Sequence, residues 1–177
     1  SVAVLATAGF DQLAVPTNIY DGIAKYPLQA IPMFILAGMI FERSGVAIRL
    51  VRFVSAIVGE WTGSLAVVAV LVSMLLGGIS GSGPADAAAV AAVMLPSMIA
   101  RGYPKGFSAG LIAASGSTAI VIPPSVAFIV YSVMVPAATV PALFAAGLFP
   151  GMIAALCLLV PAIVISRKYG FGRDFKA

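Results

Sequence analysis

The segment Gly77-Gly78-Ile79-Ser80-Gly81-Ser82-Gly83-Pro84 lies between two apolar arms, residues 61–76 and 85–100, the second opening on Ala85-Asp86. Each arm is short for a membrane crossing, which takes about 20 residues. The pair predicts a helical hairpin over residues 61–100 that dips into a bilayer and returns. Glycines and hydroxyls at that depth are tolerated only where protein buries them or they line a polar cavity, because lipid offers no partner to a free N–H or C=O. The tip is therefore a candidate functional site.

Composition places that hairpin in a membrane. The 177 residues are 62% hydrophobic and 9% charged, against roughly 25% charged in an ordinary soluble domain. The expected fold class is all-α: a polytopic membrane helix bundle with a re-entrant helical hairpin and a discontinuous helix, residues 1–177 forming a single membrane domain. Residues 1–10 read as the tail of a helix that began upstream. No basic stretch or cleavage site marks them as a signal peptide, and the expectation is a fragment of a longer chain.

The net charge of +4 does not point to nucleic acid, because the basic residues fall in the gaps between apolar runs and so report topology. There is no histidine. Gly78-Ile79-Ser80-Gly81 is similar to the GxSG of intramembrane serine proteases, yet no histidine is present to take the serine proton. An aspartyl protease needs two neighbouring carboxylates, and Asp86 alone sits at depth among Asp11, Asp21, Glu42, Glu60, Asp86 and Asp174. Cys157, inside an apolar run, has neither a disulfide partner nor a metal-ligand set and reads as a small hydrophobe. The chain is expected to be no enzyme, with no catalytic residues and no cofactor.

Four further segments follow from the pattern. Residues 28–43 form a membrane helix with Pro32 near its start, where its missing N–H matters least. Residues 44–60 suit an interfacial amphipathic helix, Arg49 and Arg52 on one face and Val46, Leu50, Phe53, Val54, Ile57 and Val58 on another; the alternative is a connector packed on other helices. Residues 105–135 form a helix broken over 116–125, where Pro123-Pro124 removes two donors. Residues 141–166 form a final membrane helix ending in Arg167-Lys168. With these assignments Arg43, Arg49, Arg52, Arg101, Lys105, Arg167, Lys168, Arg173 and Lys176 share the inner side and only Lys25 lies outside. The charges do not distinguish a re-entrant hairpin from two full crossings.

Each break exposes carbonyl oxygens, N–H groups and hydroxyls. Carbonyls and hydroxyls are hard, neutral ligands for a small cation, whereas half-helix N-termini favour an anion. At the first break Gly83 is expected as N-cap and Pro84 as first helical residue, leaving Ser80 and Ser82 free to offer oxygens. At the second, Ser115, Ser117, Thr118 and Ser125 supply hydroxyls, with backbone oxygens released between Thr118 and Ile122. Asp86 is either a ligand or simply a carboxylate stabilised by a helix N-terminus. Small residues also serve ordinary helix packing, which is the competing explanation. Discontinuous helices around a midplane site mark secondary transporters built from inverted repeats. No second copy of the hairpin occurs in this sequence, so half of such a site is missing.

Several motifs resemble one family in order and spacing: Pro27-Leu28-Gln29-Ala30-Ile31-Pro32-Met33-Phe34-Ile35-Leu36-Ala37-Gly38, the tip Gly77–Ser82 with Ala85-Asp86, Met94-Leu95-Pro96, Arg101-Gly102-Tyr103, and Ile122-Pro123-Pro124-Ser125. The chain is similar, over nearly its whole length, to the large membrane (M) subunit of tripartite ATP-independent periplasmic (TRAP) transporters. The resemblance implies the first half of an elevator-type carrier in the bacterial inner (cytoplasmic) membrane. Such a carrier takes an organic anion, typically a carboxylate such as a C4-dicarboxylate or sugar acid, from a periplasmic substrate-binding protein. It implies sodium as coupling ion and a small membrane (Q) subunit as brace. By the family pattern Ser80, Gly81, Ser82, Ser115, Thr118 and Pro123 surround one sodium and one side of the substrate, with Ser80, Ser82, Ser115 and Thr118 as sodium ligands. Competing readings are an ion-channel subunit, with the break lining a pore, and a structural membrane domain.

Overall fold

An apolar chain in lipid must close its backbone hydrogen bonds locally or in a sealed sheet, and every regular element among the described residues is a helix. The computed structural model describes residues 14–24, 26–135 and 137–172. The helices are α1 (Ala14–Ile23), α2 (Tyr26–Arg43), α3 (Val46–Val58), α4 (Ser64–Ser80), α5 (Gly83–Ala100), α6 (Lys105–Ala119), α7 (Val126–Met134) and α8 (Val140–Tyr169). The chain is an all-α, polytopic membrane helix bundle. Residues 1–10, Asp11, Lys25, Arg173, Asp174 and Lys176, named in the reading of the sequence, lie outside the described residues.

A helix that is apolar all round belongs in the centre. That helix is α4, buried along most of its length from Ser64 to Ser80 and in contact with α2, α3, α5, α6 and α8. By contrast α8 keeps Phe149, Met152, Leu156, Val160 and Val164 exposed, an outward apolar face suited to lipid. Among the described residues α5 and α8 are each long and apolar enough to cross a membrane, and residues 30–41 of α2 with α3 reach that length only as a pair, bent by 68°.

The base of the hairpin is an aromatic and basic knot. The Trp61 indole donates to the Val58 carbonyl at 3.1 Å, the Arg167 guanidinium lies 4.9 Å over the Trp61 ring, and Arg101 approaches Glu60 at 3.7 Å. Tyr103, Phe107 and Phe171 cluster with centroids 5.4–6.4 Å apart, Tyr103 stacked on Phe107 and Phe171 tilted against both. Tyr103 is buried, and burial pushes its phenol above the usual value despite the opposing backbone N–H groups of Ala66 and Leu65.

α8 gives the depth scale. Its Ser166 meets Gly63 at the base, while its Gly151 meets Ile122 beside the tip. Fifteen residues of helix separate those positions, about 22 Å at 1.5 Å per residue. Beyond Gly151, α8 continues to Val140, roughly another 16 Å. The tip therefore stops well inside the length of the bundle.

α3 runs lengthwise along α4. Ala47 shares a cavity with Leu76 and Ser80 near the tip, whereas Val58 accepts the Trp61 indole at the base. Its Ala47 and Val54 are buried, and Phe53 and Ile57, assigned from sequence to the same apolar face, are exposed beside Arg49 and Arg52. α2 ends at the level of the tip, since Phe41 lines the same cavity. Arg43, grouped by the charge argument with the basal cations, thus sits higher along the bundle than Arg101 and Arg167.

Candidate functional site

The first break is tighter than expected from sequence, which unwinds the chain from Gly77 to an N-cap at Gly83. Gly77 to Ser80 stay helical, and only Gly81 and Ser82 lie outside α4 and α5. The turn needs a left-handed residue, which Gly81 supplies at φ 65°, its N–H returning to the Gly77 carbonyl. Ser82, not Gly83, is the N-cap of α5. Its carbonyl accepts the Asp86 N–H at 3.0 Å. The physical reason is economy of backbone groups: a helix closes its own N–H and C=O groups where lipid cannot, so the glycines remain in it.

Those glycines serve contact. A Cβ on Gly77 would collide with Ala119, and one on Gly78 would touch Ile122 at 3.4 Å. A Cβ on Gly81 would come within 2.8 Å of the Pro124 carbonyl oxygen and 3.2 Å of the Val126 nitrogen. On Gly83 it would lie 2.5 Å from the Gly116 carbonyl oxygen and from Ile120 Cγ1. The tip is wedged into the second break, backbone against backbone.

The second break spans residues 120–125, between α6 and α7. Its carbonyls are less available than sequence suggests: Thr118 O accepts the Val121 N–H at 3.1 Å and Ala119 O accepts the Ile122 N–H at 3.0 Å. These tightened last turns satisfy groups that the prolines would leave open. Ser115, Ser117 and Thr118 each donate their hydroxyl to the carbonyl four residues back, at 2.7, 2.9 and 2.8 Å. Ser115 is fully buried and Ser117 exposed. Pro123 follows Ile122, and the Pro123-Pro124 bond is cis. Ser125 is the N-cap residue of α7, fully buried, and its Oγ has no hydrogen-bond partner among the described residues.

Ser80 is not free. Its hydroxyl donates to Asp86 Oδ2 at 2.6 Å, and its Oγ accepts the Ser82 N–H at 3.1 Å. A buried carboxylate takes the nearest donor, because an unpaired charge away from water is far more unfavourable. Ser80, Ser82 and Asp86 line a cavity of about 120 Å³ shared with Ile35, Gly38 and Met39 of α2. The structure thus brings Gly81, Pro124, Ser125 and Val126 together on one side of the tip. It turns the Ser80 and Asp86 side chains toward α2, and it ties the Ser115 and Thr118 hydroxyls into α6. Sequence reasoning missed the Ser80–Asp86 bond, the close approach of Gly38 to Ser80, and the pairing of Gly83 with Gly116. The first had a signal, a hydroxyl and an acid six residues apart across a turn; helix-to-helix pairings leave none in one sequence.

The wedge of small residues is thus seated in the proline break, and comparison with known proteins identifies the family. The family model described as "Tripartite ATP-independent periplasmic transporter, DctM component" matches residues 1–177. The chain belongs to the DctM family. It is 39% identical over 176 residues to the C4-dicarboxylate TRAP transporter large permease protein DctM of Rhodobacter capsulatus, covering 92% of this chain and 40% of the relative. It is 37% identical over 172 residues to the isethionate TRAP transporter permease protein DctMQ of Oleidesulfovibrio alaskensis, covering 97% and 27%. It is 39% identical over 151 residues to the 2,3-diketo-L-gulonate TRAP transporter large permease protein YiaN of Escherichia coli K12, covering 85% and 35%. The chain spans two fifths or less of the length of these DctM-type relatives. The family is one of transporter permeases, and its tripartite name implies further components.

Proposed function

We propose that this chain forms the hairpin-and-broken-helix part of a sodium-coupled secondary transporter that imports organic anions across the bacterial inner membrane. A periplasmic substrate-binding protein delivers the anion, and a small membrane subunit braces the permease. The names of the relatives support this class of cargo, since C4-dicarboxylates, isethionate and 2,3-diketo-L-gulonate are all small organic anions. The name DctMQ of one relative supports a second membrane component.

The observation that carries the reading is the seating of Gly81 against Pro124 and Val126, beside the unpartnered Ser125 Oγ. The N-terminus of α7 directs backbone N–H groups and a partial positive charge toward this point, which suits a carboxylate or sulfonate. The end of α4 and the residues before Pro123 contribute oxygens of the hard, neutral kind that suit sodium. Ser115 and Thr118 donate their hydroxyl protons away to Leu111 and Ala114, which leaves oxygen lone pairs for a cation. The tip lies about 22 Å from the basal end by the α8 scale, partway along the bundle, which supports a hairpin that returns before crossing.

The test is Ser125→Ala in the complete permease, reconstituted with its partners and driven by a sodium gradient. A hydroxyl that binds cargo or ion through a charge-assisted bond contributes about 1.5–3 kcal/mol, so uptake should fall roughly tenfold or more at subsaturating substrate. Thermal stability should hold, since the hydroxyl has no partner to lose. Unchanged uptake would remove Ser125 from the site, and wild-type uptake indifferent to sodium would overturn the coupling.

A further inference from the structure

An ionisable side chain at membrane depth is unfavourable unless something uses it, and Asp86, only 4% exposed, is such a residue. It occupies the first turn of α5. Its Oδ2 accepts the Ser80 hydroxyl at 2.6 Å, the length of a charge-assisted bond. The Ser80 Oγ in turn accepts the Ser82 N–H at 3.1 Å. This relay runs from the start of α5 to the end of α4 and back to the turn between them. Gly81, the residue it encloses, is the one that meets Pro124 and Val126.

We propose that Asp86 is a positioning residue of the transport site. It fixes the Ser80 hydroxyl, and through it the Ser82 amide, so that the Gly81-Ser82 backbone is held in one orientation against the second break. Three features support this. The carboxylate faces the α2 side of the tip, in the cavity with Gly38 and Met39, whereas Gly81 meets Pro124 on the other. A Cβ on Gly38 would be in van der Waals contact with the Ser80 Cβ at 3.4 Å, so α2 packs directly against the relay. The turn itself has only two residues, so a rotation of the Ser82 amide carries Gly81 with it. Asp86 acts through Ser80 and does not touch the cargo.

This inference rests on the proposed sodium-coupled function, and the experiment separates the two. The complete permease is purified as wild type, Asp86→Asn, Asp86→Ala, Ser80→Ala and the Asp86→Ala/Ser80→Ala double variant. Sodium alone is the probe, titrated against thermal unfolding. Hydrogen exchange of the Ser82 amide is measured on the same samples. Asp86→Ala and Ser80→Ala should each raise the half-saturating sodium concentration about tenfold. The double variant should be no worse than the worse single one, because both changes cut the same relay. Asp86→Asn, whose amide oxygen still accepts the Ser80 hydroxyl, should stay within about threefold of wild type. Ser82 exchange should quicken in both alanine variants and not in Asp86→Asn.

Additive effects, an Asp86→Asn variant as damaged as Asp86→Ala, or unchanged Ser82 exchange would each overturn the proposal. Should Asp86→Ala not fold, Asp86→Asn and Ser80→Ala carry the same contrast. A wild type that ignores sodium would instead sink the coupling, while Ser82 exchange would still decide the relay.

Discussion

The two breaks in the bundle treat their polar groups in opposite ways. The α4–α5 break closes in two residues and bonds its own atoms: Gly81 N–H to Gly77 O, Ser82 N–H to Ser80 Oγ, Ser80 hydroxyl to Asp86 and Asp86 N–H to Ser82 O. The α6–α7 break takes six residues, contains Pro123-Pro124, and leaves the buried Ser125 Oγ without a partner among the described residues. One is a self-satisfied wedge, and the other is a notch that receives it. Rigid preorganisation and chemical openness, which a binding site needs together, are thus divided between two segments.

The comparison breaks most visibly at the wedge. Gly83→Val would place side-chain carbon where the Gly116 carbonyl and Ile120 already lie, 2.5 Å from an added Cβ. Overpacking of this kind costs about 1–3 kcal/mol, and here neither backbone can yield without unseating the tip. Uptake by the complete permease should fall below about a tenth of wild type with a lower melting temperature; near-normal transport would show that the wedge is not seated during turnover.

A smaller effect is expected at the base, which should behave as scaffold. Trp61→Ala removes a hydrogen bond to Val58 and the contact with Arg167, a loss of about 2 kcal/mol for a half-buried tryptophan. The melting temperature should drop by about 4 °C, while the half-saturating sodium concentration stays put. A shifted sodium response would mean that base and tip are coupled, and the division drawn above would fail.

The smallest effect is a pH dependence at Tyr103. Burial raises its phenol above the ordinary value of 10.0, so the native state holds this proton more tightly than the unfolded chain does. Stability from this group is fully present below pH 10 and is lost as the pH climbs through the folded value. Tyr103→Phe should therefore melt with a shallower decline above about pH 10 than wild type. Parallel pH profiles of the two proteins would contradict the assignment.

Much of this was legible in the sequence because its physical cause is local. Low charge and long apolar runs dictate helices in lipid, and Pro123-Pro124 cannot continue α6, so the second break falls at the prolines, although α6 runs on to Ala119 where the sequence reading opens the break at Gly116. The hairpin arms were also legible, yet their tip was expected to unwind from Gly77 to a cap at Gly83 and does so over only Gly81 and Ser82. Glycine has a low helix propensity, and only the presence of Ala119 and Ile122 across the interface explains why Gly77 and Gly78 stay helical. The Ser80 hydroxyl reads as free along the chain and is bonded to Asp86 in three dimensions.

What the sequence determined by itself is the class of molecule and the place of its breaks: an all-α membrane bundle with a polar turn and a proline interruption, in the DctM family. What only the tertiary structure decided is how those breaks use their atoms. Hydropathy and proline act within a few residues, so one chain displays them. Which carbonyl faces which glycine and which serine is left open depend on helices some thirty to forty residues apart meeting at one depth, and that is set by packing.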